Sequence, residues 1–554
     1  MDNTGGGFSF GGGDFGGGNT TQLGCTADLR YVVDENGNVV EDCWPNSGCA
    51  DGMCVAPCTA AAASQGTVGC DFTVATPHFY VGIAPPCFAV FVANNWPTDA
   101  PLTVTRDGVN YDATQFGRIA EGNANAASWA PVPSTGVPPG EVAVLFLSQD
   151  PSSVNGTPLT CPVTPAINQS QGSAVSGSNV GKAWTITAGV PVSAYDILPY
   201  GGASSYLPSA ELLLPTSAWG DNYIAVTPQP SSGPPWGQLV AAQDNTTIQI
   251  LPTIGLPGAG PVPAAPANST TTFTLNAGEY VQWQLSSGQE MSGSVIQADK
   301  PVAFTGGDAY ICYSSATSSG GGCDSAHQMI PPISAMGSEY AAIPYTSRGT
   351  VPESVPYRLV GAVDGTTLTY DPPVAGAPAT LGQGQVASFE AVGPFVVTSQ
   401  DADHPFYVGQ LMTGCSVQGA TQGCLGDEEY VNVLPPAQFL KKYVFFTDPT
   451  YPTTNLVLTR VDTGSGFKDV NIDCIGTVTG WQPAGSGGRY EMTNVDLIRG
   501  GTPNGSCANG PHVAESEGVF GITVWGLDTY SSYGYPAGGS VSTINDVVVI
   551  PVPD

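Results

Sequence analysis

The chain has 554 residues, only 10% of them charged, and 13 Lys and Arg stand against 45 Asp and Glu for a formal net charge of −32. That excess excludes nucleic acid and anionic lipid surfaces as partners, since both would be repelled. No apolar run approaches the ~20 residues of a membrane-crossing helix, so no transmembrane span is expected.

Hydrophobic residues make up 41% of the chain, and its 72 Gly and 49 Pro follow no collagen-like period. Such a composition suits many short strands and many turns around a sizeable core. Residues 1–24, opening MDNTGGGFSFGGGDFGGG, read as a Gly-rich flexible tether. Met1 leads straight into it, which reads as a mature form whose export signal has been removed. Residues 25–69 form a Cys-rich segment too short to bury its own apolar core and therefore dependent on cross-links. The 14 cysteines are even in number and show no zinc-type CxxC spacing, so a disulfide framework in an oxidising compartment is expected. Local spacing pairs Cys312 with Cys323, Cys415 with Cys424 and Cys474 with Cys507. Partners of Cys25, Cys43, Cys49, Cys54, Cys58, Cys70, Cys87 and Cys161 stay open, because sequence alone does not assign them.

From residue 70 the chain repeats itself, in units near 70–222, 223–339, 340–442 and 443–554. WGQLVAAQDNTTIQILP (236–252) and YRLVGAVDGTTLTYDPP (357–373) each set an Asp-Asn or Asp-Gly turn between alternating runs, which predicts a β-hairpin. GSVIQADKPVAFTGGDAY (293–310) and PFVVTSQDADHPFYVGQLM (394–412) predict a second hairpin in each unit. Pro191, Pro301 and Pro405 recur in these runs, as do the links ELLLP (211–215), QMIPP (328–332) and NVLPP (432–436). No window carries helical periodicity over helical length. The expected fold is all-β, with internal repeats of about 105–120 residues. A closed propeller-like array is favoured over tandem β-sandwiches, because radial repetition protects strand edges.

GCDF (69–72), CFAVFVANN (87–95), ADKPVAF (298–304), AHQMIPPISAMGSEYAAIPY (326–345) and HVAESEGVFGITVWGLDTYSSYGYPAGG (512–539) resemble the IgGFc-binding protein N-terminal domain family. The resemblance covers about residues 69–545 and implies a bacterial surface-protein member of that family. It implies an extracellular recognition or adhesion module and carries no ligand with it, immunoglobulin included. The self-cleaving Gly-Asp-Pro-His site found elsewhere in the mucus protein of that family is absent.

No catalytic group stands out. The histidines are His78, His327, His404 and His512. Asp324, Ser325 and His327 are too close in the chain to face one another as a triad. His404 belongs to the DADHP turn, and His512 with Glu515 is expected to order a loop. Calcium takes six to eight oxygen ligands, and Asp308, Asp324, Asp427, Glu428 and Glu429 are the carboxylates best placed to supply them. No DxDxDG loop occurs; no cofactor is expected to be required, and calcium is the ion these carboxylates could hold. Trp96, Trp219, Trp236, Trp283, Trp481 and Trp525 would stack on sugars if exposed, and otherwise serve the core. The reading is a secreted or cell-surface, non-enzymatic binding or adhesion protein with a glycan or protein ligand. The alternatives are a secreted glycan-active hydrolase and a structural envelope or filament subunit; oligomeric state is left open. The Gly/Ser-rich excursions closed by Cys312/Cys323 and Cys415/Cys424 either present a recognition surface or only restrain loops.

Overall fold

The computed structural model describes residues 23–552 apart from 27, 123–124, 171, 203–204 and 422. The tether expected over 1–24 lies outside these but for Leu23 and Gly24. The fold is all-β, and nearly every strand pair is antiparallel. An eight-residue helix, α1 (Pro57–Ser64), sits in the Cys-rich segment, where an Ala run after Pro57 favours helix.

Each unit is organised around one long strand: β1 (Trp184–Leu198), then, past the axial strand β2 (Ser209–Leu213), β3 (Val295–Ile311). In the third unit, after the axial strand β4 (Asp324–Ile330), the same course is broken into β5 (Phe395–Ser399) and β6 (Phe406–Met412). The axial strand β7 (Glu429–Asn432) ends that unit, and β8 (Gly510–Asp528) with the axial strand β9 (Ser531–Pro536) ends the fourth.

The predicted hairpins are not hairpins. Pro235–Ala241 and Thr246–Leu251, the arms of the Asp-Asn turn, do not pair with each other; both pair with β3. The turn itself forms, with Asn245 at φ 53°. Its chemistry specifies the reversal of direction, but β3 lies between the arms and takes their ladder bonds. Of the runs read as second hairpins, 293–310 runs into the continuous strand β3, which changes partners midway, and 394–412 is the same course broken into β5 and β6, which do not pair with each other. Val295–Ala298 lies between Gly220–Ile224 and Thr246–Leu251, whereas Val302–Ile311 lies between Pro235–Ala241 and β4. Pro301 stands at this crossing, where a residue without an N–H is tolerated because the ladder is already changing hands.

Strands near the middle of the molecule are buried on both faces, as Phe88–Asn94 and β6 are throughout. The outer Thr246–Leu251 and Thr366–Asp371 alternate buried and exposed, with one face to solvent. Four hydrophobic cores lie between consecutive sheets: Phe72 and Trp184 with Ala303, Trp283 with Tyr407, Tyr357 with Trp525, and Phe91 with Phe446. The last core joins the fourth sheet to the first, where Phe91 and Phe446 stack at 4.9 Å and Tyr195 donates to the carbonyls of Val444 and Ala537. The axial strands β2, β4, β7 and β9 likewise touch in a cycle. This cycle is made by packing. The sheets are open half-barrels with free edges, so the closed propeller expected from the repeats is not formed as a closed ladder. Unit limits set at 222/223 and 442/443 fall inside the strands Gly220–Ile224 and Leu440–Thr447. Asn179–Lys182, from the first segment, completes the second sheet by pairing with Glu279–Gln284.

The repeat has a steric register. A Cβ added at Gly69, Gly220 or Gly337 would stand 2.4, 2.6 or 2.5 Å from the Cβ of Pro215, Pro332 or Pro435, each a proline of the recurring links. Three residues after each glycine comes Phe72, Tyr223 or Tyr340, and the two tyrosines donate to the long-strand carbonyls of Val302 and Phe406. Gly220→Ala is therefore expected to cost about 1–3 kcal/mol by overpacking a site with no room to give. A denaturation midpoint equal to that of the parent chain would refute this register.

All fourteen cysteines are paired. Cys25–Cys49 and Cys43–Cys54 close the Cys-rich segment, and Cys58–Cys70 ties α1 to the first sheet. Cys87–Cys161, Cys312–Cys323, Cys415–Cys424 and Cys474–Cys507 lie within the repeat body.

Candidate functional site

The excursions 312–323 and 415–424 each follow a long strand and lead into an axial strand, so both emerge at the same end of the axial cycle. Their backbones are joined. Ser416 N–H donates to Gly320 C=O at 2.8 Å, Cys415 N–H to Gly321 C=O at 2.9 Å, and Gln418 N–H to Thr317 C=O at 2.9 Å. In return Ser319 N–H donates to Ser416 C=O at 3.1 Å. The second loop continues to the fourth unit, since Tyr530 N–H donates to Cys424 C=O at 2.9 Å. A rigid patch spanning three units results, with its reversals set by glycines such as Gly320, Gly321 and Gly322, all at positive φ. Its exposed residues include Ser314, Ala316, Ser319, Ser416, Gln418, Ala420 and Thr421. None of these loop residues is charged, and the half-buried Glu390 carboxylate accepts from Ala316 N–H at 2.8 Å.

Beneath the patch lie Asp324, Asp427 and Glu428, all buried to within 1%. Asp324 and Asp427 fall at the same distance before Pro332 and Pro435, so the repeat itself brings them to one place. Desolvation, then the neighbouring Asp427 and Glu428, holds the Asp324 carboxyl well above the usual carboxylate range. Burial and contact with Asp427 raise Glu428 too. Glu429 lies deeper and is satisfied, accepting from Ser209 Oγ at 3.1 Å, Tyr430 N–H at 2.8 Å and Gly534 N–H at 3.3 Å. Asp308 is held by Tyr310 N–H at 2.9 Å, and desolvation pushes it up to about 7. Of the five carboxylates suited to calcium by sequence, Asp324, Asp427 and Glu428 thus lie near one another. Among the described residues, however, they are not among the groups whose ligand atoms converge within 4.8 Å.

Two other clusters do converge: Asp473, Cys474 and His512, and Asp196, Glu211 and His327. In the first, the Cys474 sulfur is bound in its disulfide, and His512 bonds to Asp473 at 3.0 Å and, side chain to backbone, to Ala508 C=O at 2.8 Å in the loop before the long strand β8. In the second, His327 Nε2 meets Asp196 Oδ1 at 2.8 Å, with both side chains buried. Sequence reasoning missed this group because Asp196 and His327 are 131 residues apart. The recurrence of ELLLP and QMIPP was the signal that could have placed Glu211 opposite His327. Ser325 Oγ donates to Leu207 C=O, so no Ser/His pair forms there. His404 bonds to Asp401 in its turn at 2.6 Å, and His78 is buried beside Gln282, where desolvation lowers it to about 4.

Trp96, Trp219, Trp236, Trp283 and Trp525 are buried and cannot stack on sugars; Trp481 is half-buried under Arg460. A cavity of about 600 Å³ lies between the first two sheets, but its Lys182 is already paired with Asp107 and Glu279. No described helix is long and apolar enough to cross a membrane.

No curated protein and no solved structure matches the chain. The family model described as IgGFc binding protein matches residues 209–526, from the first axial strand to the last long strand. This span contains the joined loops and the axial carboxylates, and it agrees with the resemblance read from the repeat motifs. The chain belongs to the IgGFc binding protein family.

Proposed function

We propose that the chain is an exported, non-enzymatic binding protein of the adhesion type, and that its ligand is a protein held on the joined loops 312–323 and 415–424. The observation that carries this reading is the backbone pairing of the two loops into one rigid surface whose own exposed residues are uncharged. A preordered surface loses little entropy on binding, and uncharged contact residues add no repulsion to that of a net charge of −32. Seven disulfides support an oxidising, extracellular setting. The cyclic packing of four units serves as a propeller-like scaffold that keeps the loops at one end. The family description supports a protein ligand, and the burial of five tryptophans weighs against a glycan.

The test is a panel of extracellular proteins, immunoglobulin Fc among them, followed by loop variants against whatever binds. Ala316→Arg and Ala420→Arg place bulk and charge on exposed loop positions. Each should weaken binding at least tenfold with an unchanged denaturation midpoint. Val109→Arg, on an exposed edge of the first sheet, should leave binding intact. Undiminished binding by both loop variants would move the ligand surface elsewhere.

A further inference from the structure

Asp196, Glu211 and His327 form a closed group where the first two units meet. Asp196 lies on β1, Glu211 is its cross-strand partner on β2, and His327 comes from β4. Their exposures are 0%, 1% and 2%, and one donor atom from each lies within 4.8 Å of the others. Asp196 Oδ2 and Glu211 Oε2 are buried without a donor from the surrounding chain, and the two carboxyls bond to each other, desolvation holding both well above the usual carboxylate range. Among the described residues no Lys or Arg bonds to either carboxyl. Two ionised carboxylates buried here without a cation would carry a large desolvation cost, so the empty pair shares a proton that a bound cation would replace. Glu429 shows how this axis otherwise treats a buried carboxylate, since both of its oxygens accept hydrogen bonds.

We propose that Asp196, Glu211 and His327 bind one divalent transition-metal ion of the zinc class, which fastens the first unit to the second. One imidazole nitrogen with two carboxylate oxygens is a donor set that suits such an ion better than calcium, which prefers oxygen alone. The 2.8 Å separation of His327 Nε2 and Asp196 Oδ1 need widen only to about 3.3 Å, the edge of a tetrahedral shell with ~2.0–2.1 Å bonds. The carboxylates bind deprotonated and the imidazole neutral, so loading releases whatever protons the empty group shares. The site is separate from the loop surface, and its role is to hold two units in register.

The test uses the full chain, expressed under oxidising conditions with Zn²⁺ or Co²⁺ in the medium and then dialysed against metal-free buffer. About one equivalent of retained metal is expected, with a Co²⁺ absorption spectrum of the intense tetrahedral type. Glu211→Gln and Asp196→Asn, which keep size and shape, should each lower retained metal at least tenfold. They should also abolish the rise in melting temperature that added Zn²⁺ gives the parent chain. A parent chain with less than a tenth of an equivalent overturns the proposal and leaves a proton-sharing cluster. Equal retention by parent and variants also overturns it, because the metal then sits elsewhere. Should either variant fail to fold, the Co²⁺ spectrum of the parent decides, and an octahedral spectrum counts against the site.

Discussion

Replacing Arg348 by Met is expected to destabilise the protein by about 3–5 kcal/mol, because it strands a buried carboxylate. Arg348 and Glu353 are exposed by only 1% and 2% at their side chains, with Nη2 to Oε2 at 2.7 Å and Nε to Oε1 at 3.2 Å. Arg348 N–H and Tyr345 Oη–H also donate to the same carboxylate. Among the described residues no Lys or Arg other than Arg348 pairs with Glu353. The pair also supports the proposed binding surface. Arg348 Nη2 donates to Thr413 Oγ1 at 3.1 Å, and the neighbouring Thr350 N–H donates to Gly419 C=O at 2.8 Å, inside the second stapled loop. The double variant Arg348→Met/Glu353→Leu removes both charges and should recover most of the loss. Denaturant midpoints of the three variants check this. A single-variant loss below about 1 kcal/mol, or a double variant worse than the single, would show that the pair is not a desolvated ion pair.

Removing Cys87–Cys161 is expected to cost more than removing any other disulfide. The two cysteines are 74 residues apart, against 9 for Cys415–Cys424. Loop-closure entropy then gives about 4.5 kcal/mol for the first and about 2.7 for the second. Cys87 is fully buried ahead of the core strand Phe88–Asn94 and takes part in backbone bonds to Leu159 and Tyr200. Cys87→Ala/Cys161→Ala should therefore loosen the excursion 150–166 and the contact between the first and fourth sheets. Cys415→Ala/Cys424→Ala should affect mainly the loop, whose backbone remains tied to 317–321. A larger midpoint loss for the short-range pair would contradict this order.

The repeats were legible because each unit repeats a local constraint. Pro191, Pro301 and Pro405 mark where the ladder changes partners, and Gly69, Gly220 and Gly337 mark where a proline of the next recurring link leaves no room for a Cβ. Turn chemistry was legible in the same way, as Asn245 and Gly365 at positive φ show. Strand pairing was not legible. The two arms of the Asp-Asn turn look like a hairpin in sequence, since nothing local shows that β3 will stand between them. A residue's neighbours along the chain set its turn, but its ladder partner is chosen by which edges are free when all strands have packed.

The sequence by itself determined an all-β chain, four repeats, an acidic surface, a disulfide-bonded setting and the family. The family follows from the resemblance of its motifs, and the rest from composition, local spacing and recurrence, which survive without coordinates. Only the tertiary structure decided that the four units pack in a cycle and that the two stapled loops share backbone bonds. It alone placed Asp196, Glu211 and His327 in one buried group. The physical reason is the length of chain between the partners: Tyr195 and Ala537 are 342 residues apart and Asp196 and His327 are 131. Contacts over such distances depend on the closure of cores between units, which no local pattern encodes.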